Sequence, residues 1–115
     1  MSSVQSIIIA PEPVRTITSG ALTINYQAVG GPLLDSSHMV IFQNGTNGNV
    51  MISWDGINDH YPVFSGAFVL LDVATNRTHQ AGAFLIPTNT QFWAKWIAVP
   101  GGPTGSVYIT SFYGA

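Results

Sequence analysis

Apolar and polar residues alternate with a period of two along most of the chain, which is the pattern of half-buried β-strands. The clearest example is segment 22–28, where Leu22, Ile24, Tyr26 and Ala28 alternate with polar residues. Glycines and prolines interrupt every stretch that could follow a helical period. The other predicted strands are 14–18, 38–43, 49–54, 67–72, 83–86, 91–99 and 107–113.

Turn-forming residues separate these segments. Residues 44–48 contain two Asn-Gly pairs, which predict a β-hairpin between segments 38–43 and 49–54. At the turn Asp55-Gly56 we expect Gly56 to adopt a positive φ. Strands recur about every 8–14 residues, so we predict an all-β fold, a single antiparallel β-sandwich of about seven to nine strands, with a jelly-roll-like arrangement as one form of it.

Residues 1–13 differ from the β-sandwich domain predicted for residues 14–115. Ile7, Ile8 and Ile9 are consecutive, and Pro11 and Pro13 then enforce an extended backbone. Two interpretations are open: an N-terminal arm that pairs with another chain, and an edge strand of the same domain. We predict that the three isoleucines contact a partner. The short apolar run and the absence of basic residues beside it indicate synthesis in the cytoplasm without a signal peptide or membrane span.

Two predicted strands are apolar on both faces. In segment 91–99, Phe92 and Trp96 lie on one face and Trp93 and Ile97 on the other, and every residue of 67–71 is apolar. An antiparallel sandwich normally exposes one face to water. The second face could be covered by a loop, by the N-terminal segment or by a neighbouring subunit. We predict that Trp93 and Trp96 contact a subunit or partner, because tryptophan is favoured at interface cores.

Charge is scarce in this chain. Only 7% of its residues are charged, against about 25% in a typical domain. Three scattered cationic residues and a net charge of −2 exclude a nucleic-acid surface. A chain this neutral, with 46% hydrophobic residues, is expected to form a homo-oligomer. The absence of cysteine excludes disulfides and thiolate metal sites.

No catalytic pattern emerges from the remaining polar residues. Asp55, Asn58 and Asp59 share one loop and could hold calcium, but they lack the EF-hand spacing, and side chains of this type commonly cap turns. The histidines are isolated, and there is no G-x-S-x-G motif. We therefore expect no enzymatic activity, no cofactor and no metal site.

Aromatic residues suggest one further binding chemistry. Trp54 and Tyr61 could stack on sugar rings if they are exposed, with neighbouring Asn and Asp as hydrogen-bonding groups. Alternatively, Trp54 continues the face of Val50 and Ile52 and belongs to the core.

Three stretches carry a family resemblance. Residues 50–56 are a strand that runs into a Ser-x-Asp-Gly turn, residues 68–72 are an apolar strand closed by Asp, and residues 105–114 are a Gly-bounded terminal strand. In this order they resemble small β-sandwich structural proteins of tailed bacteriophage virions, used for head decoration or in neck and tail rings. The resemblance covers residues 14–115. It implies a structural protein located in the virion, bound to other virion proteins and without catalytic residues. The alternative function is a carbohydrate-binding module used in host attachment.

Overall fold

The computed structural model describes residues 9–73 and 85–114, and this part of the chain is an all-β domain. One turn of 3-10 helix, Ser19–Ala21, is its only helical element among those residues. The described strands are β1 (Ile9–Pro11), β2 (Arg15–Thr18), β3 (Gln27–Ala28), β4 (Ser37–Asn44), β5 (Val50–Ser53), β6 (Tyr61–Val63), β7 (Phe68–Asp72), β8 (Trp93–Trp96) and β9 (Ser106–Gly114).

The strands pair in a nested antiparallel order. β2 pairs with β9, β3 with β8, β4 with β7 and β5 with β6. This nesting produces a five-stranded sheet in the order β1-β9-β4-β7, with β2 also on β9, and a four-stranded sheet in the order β3-β8-β5-β6. The prediction of an antiparallel β-sandwich is confirmed, and the nested pairs give it a jelly-roll topology.

The core lies between the two sheets. Alternate residues point inwards from each strand, and Val40, Phe42, Ile52 and Ile109 are fully buried there. Phe92 packs edge-on against Phe42, with 5.2 Å between the ring centres. The period of two in the sequence therefore corresponds to the inward and outward faces of real strands.

The hairpin predicted at residues 44–48 is wrong. β4 and β5 belong to different sheets, so this connection crosses the sandwich. The buried side chain of Asn44 explains the crossing, because its amide donates to the carbonyls of Gly48 and Val63, both at 2.8 Å. Its Oδ1 accepts the backbone N–H of Thr46 at 2.9 Å. These bonds link the end of β4 to the connection and to β6 of the second sheet.

Segment 22–28 is a strand only at its end, in β3. The hydroxyl of Thr23 accepts the backbone N–H of Asn25 at 3.0 Å and so makes a local turn that competes with sheet pairing. Only some of the alternating apolar residues pack into the core: Leu22 is buried, but Ile24 is 64% exposed. In the predicted strand 83–86, residues 83 and 84 lie outside the described residues, and Ile86 forms an isolated bridge to Ser37.

Candidate interaction surface

The register of β4, β7 and β9 decides which side chains face outwards from the five-stranded sheet. Paired residues on neighbouring strands share a face, and Val40, Phe42 and Ile109 mark the inner one. The intervening rows point to the opposite side. These rows, which we call the outer face, are Phe68–Gln43–Tyr108, Leu70–Ile41–Thr110 and Asp72–Met39–Phe112.

Large apolar side chains of the outer face are accessible to solvent. Phe68 is 66% exposed, Leu70 50% and Tyr108 39%. Half-buried apolar side chains of the same rows lie beside them: Met39, Ile41 and Phe112. Asp72, at the end of β7, carries the formal charge of these rows. A contiguous apolar surface on neighbouring strands is typical of a protein–protein interface, whereas scattered exposed residues are not.

A shallow depression lies at one end of the outer face. Its volume is about 390 Å³, and the side chains of Phe68, Gln43 and Tyr108 line it together with the turns at Gly45 and Gly66. Gln43 is paired with both aromatic residues, so it lies between them. The depression thus offers one amide group flanked by two aromatic side chains.

Several of the charged groups are engaged with one another away from the outer face. Arg15 and Glu12 form an ion pair of 2.6 Å in which both side chains are buried. Lys95 lies 3.2 Å from Asp59 on the four-stranded sheet, and its ammonium is 4.6 Å from the ring centre of Tyr26. The Tyr26 hydroxyl donates to Asp59. These two ion pairs lie outside the rows of the outer face, in which most side chains are apolar.

The Glu12–Arg15 pair ties the N-terminal strands to loop 30–35. Arg15 donates to the carbonyls of Gly31 and Pro32 at 2.8 and 2.9 Å, and to the Ser111 hydroxyl at 3.1 Å. Glu12 accepts the backbone N–H of Asp35 at 2.8 Å. Burial raises the pKa of Glu12, but the hydrogen bonds from Arg15 and the backbone outweigh it and hold that pKa below its ordinary value.

The two tryptophans of β8 have different environments. Trp96 is 2% exposed and donates its indole N–H to the carbonyl of Leu22 at 3.1 Å, so it belongs to the core of its own domain and is removed from the candidate partner contacts. Trp93 lies on the opposite side of β8 and is half-buried. A Cβ on Gly56 would stand 3.0 Å from its ring. A loop of the same chain therefore covers part of this face, and the contact of Trp93 with a subunit or partner stays a prediction.

The two aromatic residues considered for sugar binding face the core. Tyr61 stacks on Phe42 with 5.7 Å between ring centres, and Trp54 meets Phe92 edge-on at 5.8 Å. Both pack against the buried core cluster. Both rings are thus in contact with core aromatics, and the interpretation of Trp54 as a core residue fits the structure better than the one as a sugar platform.

The isoleucines of the N-terminal segment are only partly described. Ile7 and Ile8 lie outside the described residues. Ile9 is 50% exposed, and its strand β1 pairs with β9 of the same chain, with Ile9 opposite Gly114. From Ile9 onwards the segment is thus an edge strand of its own domain, as in the second of the two interpretations, and the contact of the isoleucines with a partner stays a prediction.

The loop that follows β5 is organised by one carboxylate. Oδ1 of Asp55 accepts the backbone N–H groups of Ile57 and Asn58, both at 2.8 Å. These bonds hold the pKa of Asp55 far below its ordinary value. The carboxylate is thus occupied by its own turn. Over residues 9–73 and 85–114, there is no group of three or more His, Asp or Glu side chains arranged to hold a metal ion.

Comparison with protein-family models, with curated proteins and with solved structures gives no match for this chain. Within the described ranges, no helix has the length and apolar character needed to cross a membrane. The interpretation of the surface therefore rests on the geometry of the domain.

Part of the outer face was visible in the sequence and part was not. The entirely apolar segment 67–71 indicated that β7 has two apolar faces. Ile41, Tyr108 and Phe112 were missed, because their place beside β7 depends on strand pairings across long sequence separations. The alternation of Tyr108 and Phe112 with buried residues was the available signal.

Proposed function

We propose that this protein is a structural component of a tailed-phage virion that assembles as a symmetric oligomer through the outer face. One observation carries the proposal: Phe68 and Leu70 on β7 and Tyr108 on β9 expose large apolar surfaces on one face of the sheet, on either side of β4. Burial of apolar area stabilises association by about 25 cal/mol per Å² before the costs of binding are subtracted. Covering the outer face would remove these side chains from water, which makes it the assembly surface in this proposal.

Two further features support a virion role. Jelly-roll domains serve as capsid proteins and as lectins, and the three stretches at 50–56, 68–72 and 105–114 resemble structural proteins of tailed phages. A fold alone does not determine a function, so the choice between these uses depends on the surface. A wide apolar surface suits a partner protein, which would be a second copy of this chain or another virion protein.

The experiment is light scattering coupled to size exclusion. The native chain should elute with the mass of an oligomer. The double substitution Phe68→Ser and Leu70→Thr should shift it to the mass of one chain, while circular dichroism keeps its β-sheet signal. Ile57→Ser is the matched control, because Ile57 is 80% exposed in the loop after β5 and outside the outer face. A native protein that remains monomeric at high concentration contradicts the proposal.

The depression between Phe68 and Tyr108 supports a second candidate function, carbohydrate binding in host attachment. Aromatic rings that flank an amide can stack on a sugar ring while Gln43 bonds its hydroxyl groups. A glycan array followed by titration calorimetry tests this function. Binding that is lost in Gln43→Ala, with the mass of the protein unchanged, would favour the carbohydrate module over the structural role.

A further inference from the structure

The free edges of the two sheets differ in how well they are protected against pairing with another chain. Natural sheets protect their edges with short strands, prolines and inward-pointing charges. β3 has two residues, β1 contains Pro11, β6 contains Pro62, and the side chain of Arg15 on β2 is buried. β7 has five residues, Phe68–Asp72, without proline, glycine or a cation. It is the unprotected edge of the described sheets.

The hydrogen bonds of β7 show which of its backbone groups face this edge. Asn44 donates to the carbonyl of Ala67 at 3.0 Å, and Val73 donates to that of His38 at 3.0 Å. Residues that bond to the neighbouring strand alternate in an antiparallel ladder. The backbone groups of Phe68 and Leu70 therefore point away from β4. No described strand lies on that side of β7.

We infer that β7 pairs with β7 of a second copy of this chain, antiparallel and centred on Leu70, so that two five-stranded sheets become one. This inference rests on the proposed function and adds a second contact to it: pairing at the sheet edge joins two copies and leaves their outer faces on one side, where a further partner covers them. Leu70 would lie opposite Leu70 of the second copy and exchange two backbone hydrogen bonds with it. Val69 would lie opposite Leu71, which continues the inner face across the junction.

The charge distribution favours this register. Asp72 would lie opposite Phe68 of the second copy, so the two Asp72 carboxylates are placed at opposite ends of the paired strands. The outer faces of both copies would also become continuous, because Leu70 of one copy lies opposite Leu70 of the other, with Phe68 of each copy diagonal to Leu70 of the other. A symmetric pairing of this kind uses the same surface on both chains and closes as a dimer.

Cysteine cross-linking tests the register, because the native chain contains no cysteine. In the inferred dimer the two Cα atoms of residue 70 would be about 5.5 Å apart, which suits a disulfide. The control is Phe68→Cys, on the same strand and the same face. Its Cα atoms would be about 14 Å apart, since they are displaced along the strands by four residues.

Under mild oxidation Leu70→Cys should form a covalent dimer at least about tenfold faster than Phe68→Cys. Equal rates, or a faster reaction of Phe68→Cys, would overturn the inference. A native protein that is oligomeric by light scattering, with no preferential cross-link at residue 70, would overturn the edge pairing and leave the proposed function standing. A native protein of single-chain mass would overturn both.

A backbone substitution supplies an independent readout. Leu70→Pro removes an N–H that faces the edge, and proline is tolerated on edge strands. This variant should stay folded, with a dimer dissociation constant at least about tenfold higher than that of Leu70→Val. An unchanged dissociation constant in the folded proline variant contradicts pairing through this edge.

Discussion

Gly56 lies against the indole ring of Trp93, and a Cβ at position 56 would stand 3.0 Å from the Cδ2 and Cε2 atoms of that ring. Gly56 has a φ of 75°, which confirms the expectation from the Asp-Gly turn. Two constraints therefore act on the same residue: a backbone conformation that favours glycine and an aromatic ring in contact with it.

The substitution Gly56→Ala should lower the free energy of unfolding by about 1–3 kcal/mol. Denaturant unfolding of the purified variant measures this change. Gly101→Ala is the control, since an added Cβ there meets nothing within 4 Å and φ is outside the left-handed range. If both variants unfold like the native protein, the contact with Trp93 imposes no constraint.

The buried ion pair should be essential to the stability of the N-terminal strands. Glu12→Ala leaves the Arg15 guanidinium buried without its carboxylate, and removal of one partner from such a pair costs about 3–5 kcal/mol. Asp35→Asn changes a nearby carboxylate but keeps the backbone N–H that Glu12 accepts. Thermal unfolding should be strongly shifted for the first variant and nearly unchanged for the second. Similar shifts would show that the pair has no special role.

The pKa of Glu12 also predicts how stability depends on pH. Its pKa is lower in the folded chain than in the unfolded chain, so the unfolded state binds more protons between the two values. The stability from this group is present above the unfolded pKa and is lost as pH falls through the folded pKa. Glu12→Gln should therefore reduce the loss of stability observed below about pH 5. An identical acid dependence in both proteins would contradict this assignment.

The connection between the two sheets depends on Asn44. Asn44→Ala should lower the free energy of unfolding by about 2–3 kcal/mol, because buried carbonyls and the Thr46 N–H lose their partner. Asn25→Ala removes the same group from an exposed position and should change stability little. Denaturant unfolding measures both changes. Equal free energies of unfolding for the two variants would contradict the role of Asn44.

These side chains also show what the sequence could and could not predict. The alternation of apolar residues predicted most strands, and their number and spacing predicted the sandwich, because those signals are local. The hairpin at 44–48 was wrong because Asn-Gly pairs favour a turn without specifying which sheet the next strand joins. The connection to the second sheet involves a contact that a local pattern does not contain, the hydrogen bond from the amide of Asn44 to the carbonyl of Val63, 19 residues away.

The candidate surface, like the fold, was predictable only where its signal lies within one short segment. Two apolar faces on segment 67–71 could be recognised, since the residues of both faces are consecutive in the sequence. Trp96 could not be assigned to the core, because the acceptor of its indole N–H is the carbonyl of Leu22, 74 residues away in the chain. The pairing of β7 with β4 that builds the outer face is likewise set by packing between distant segments.

The central claim, that the outer face is buried on assembly, is tested most directly by methionine oxidation. Met39 lies on the outer face, whereas Met51 lies on the outward side of the four-stranded sheet, and both are half-buried. Peptide mass spectrometry should show that oxidation of Met39 by dilute peroxide slows severalfold when the protein is concentrated enough to assemble, while that of Met51 is unchanged. Met39 oxidation at the same rate in the assembled and the dilute protein would contradict the account.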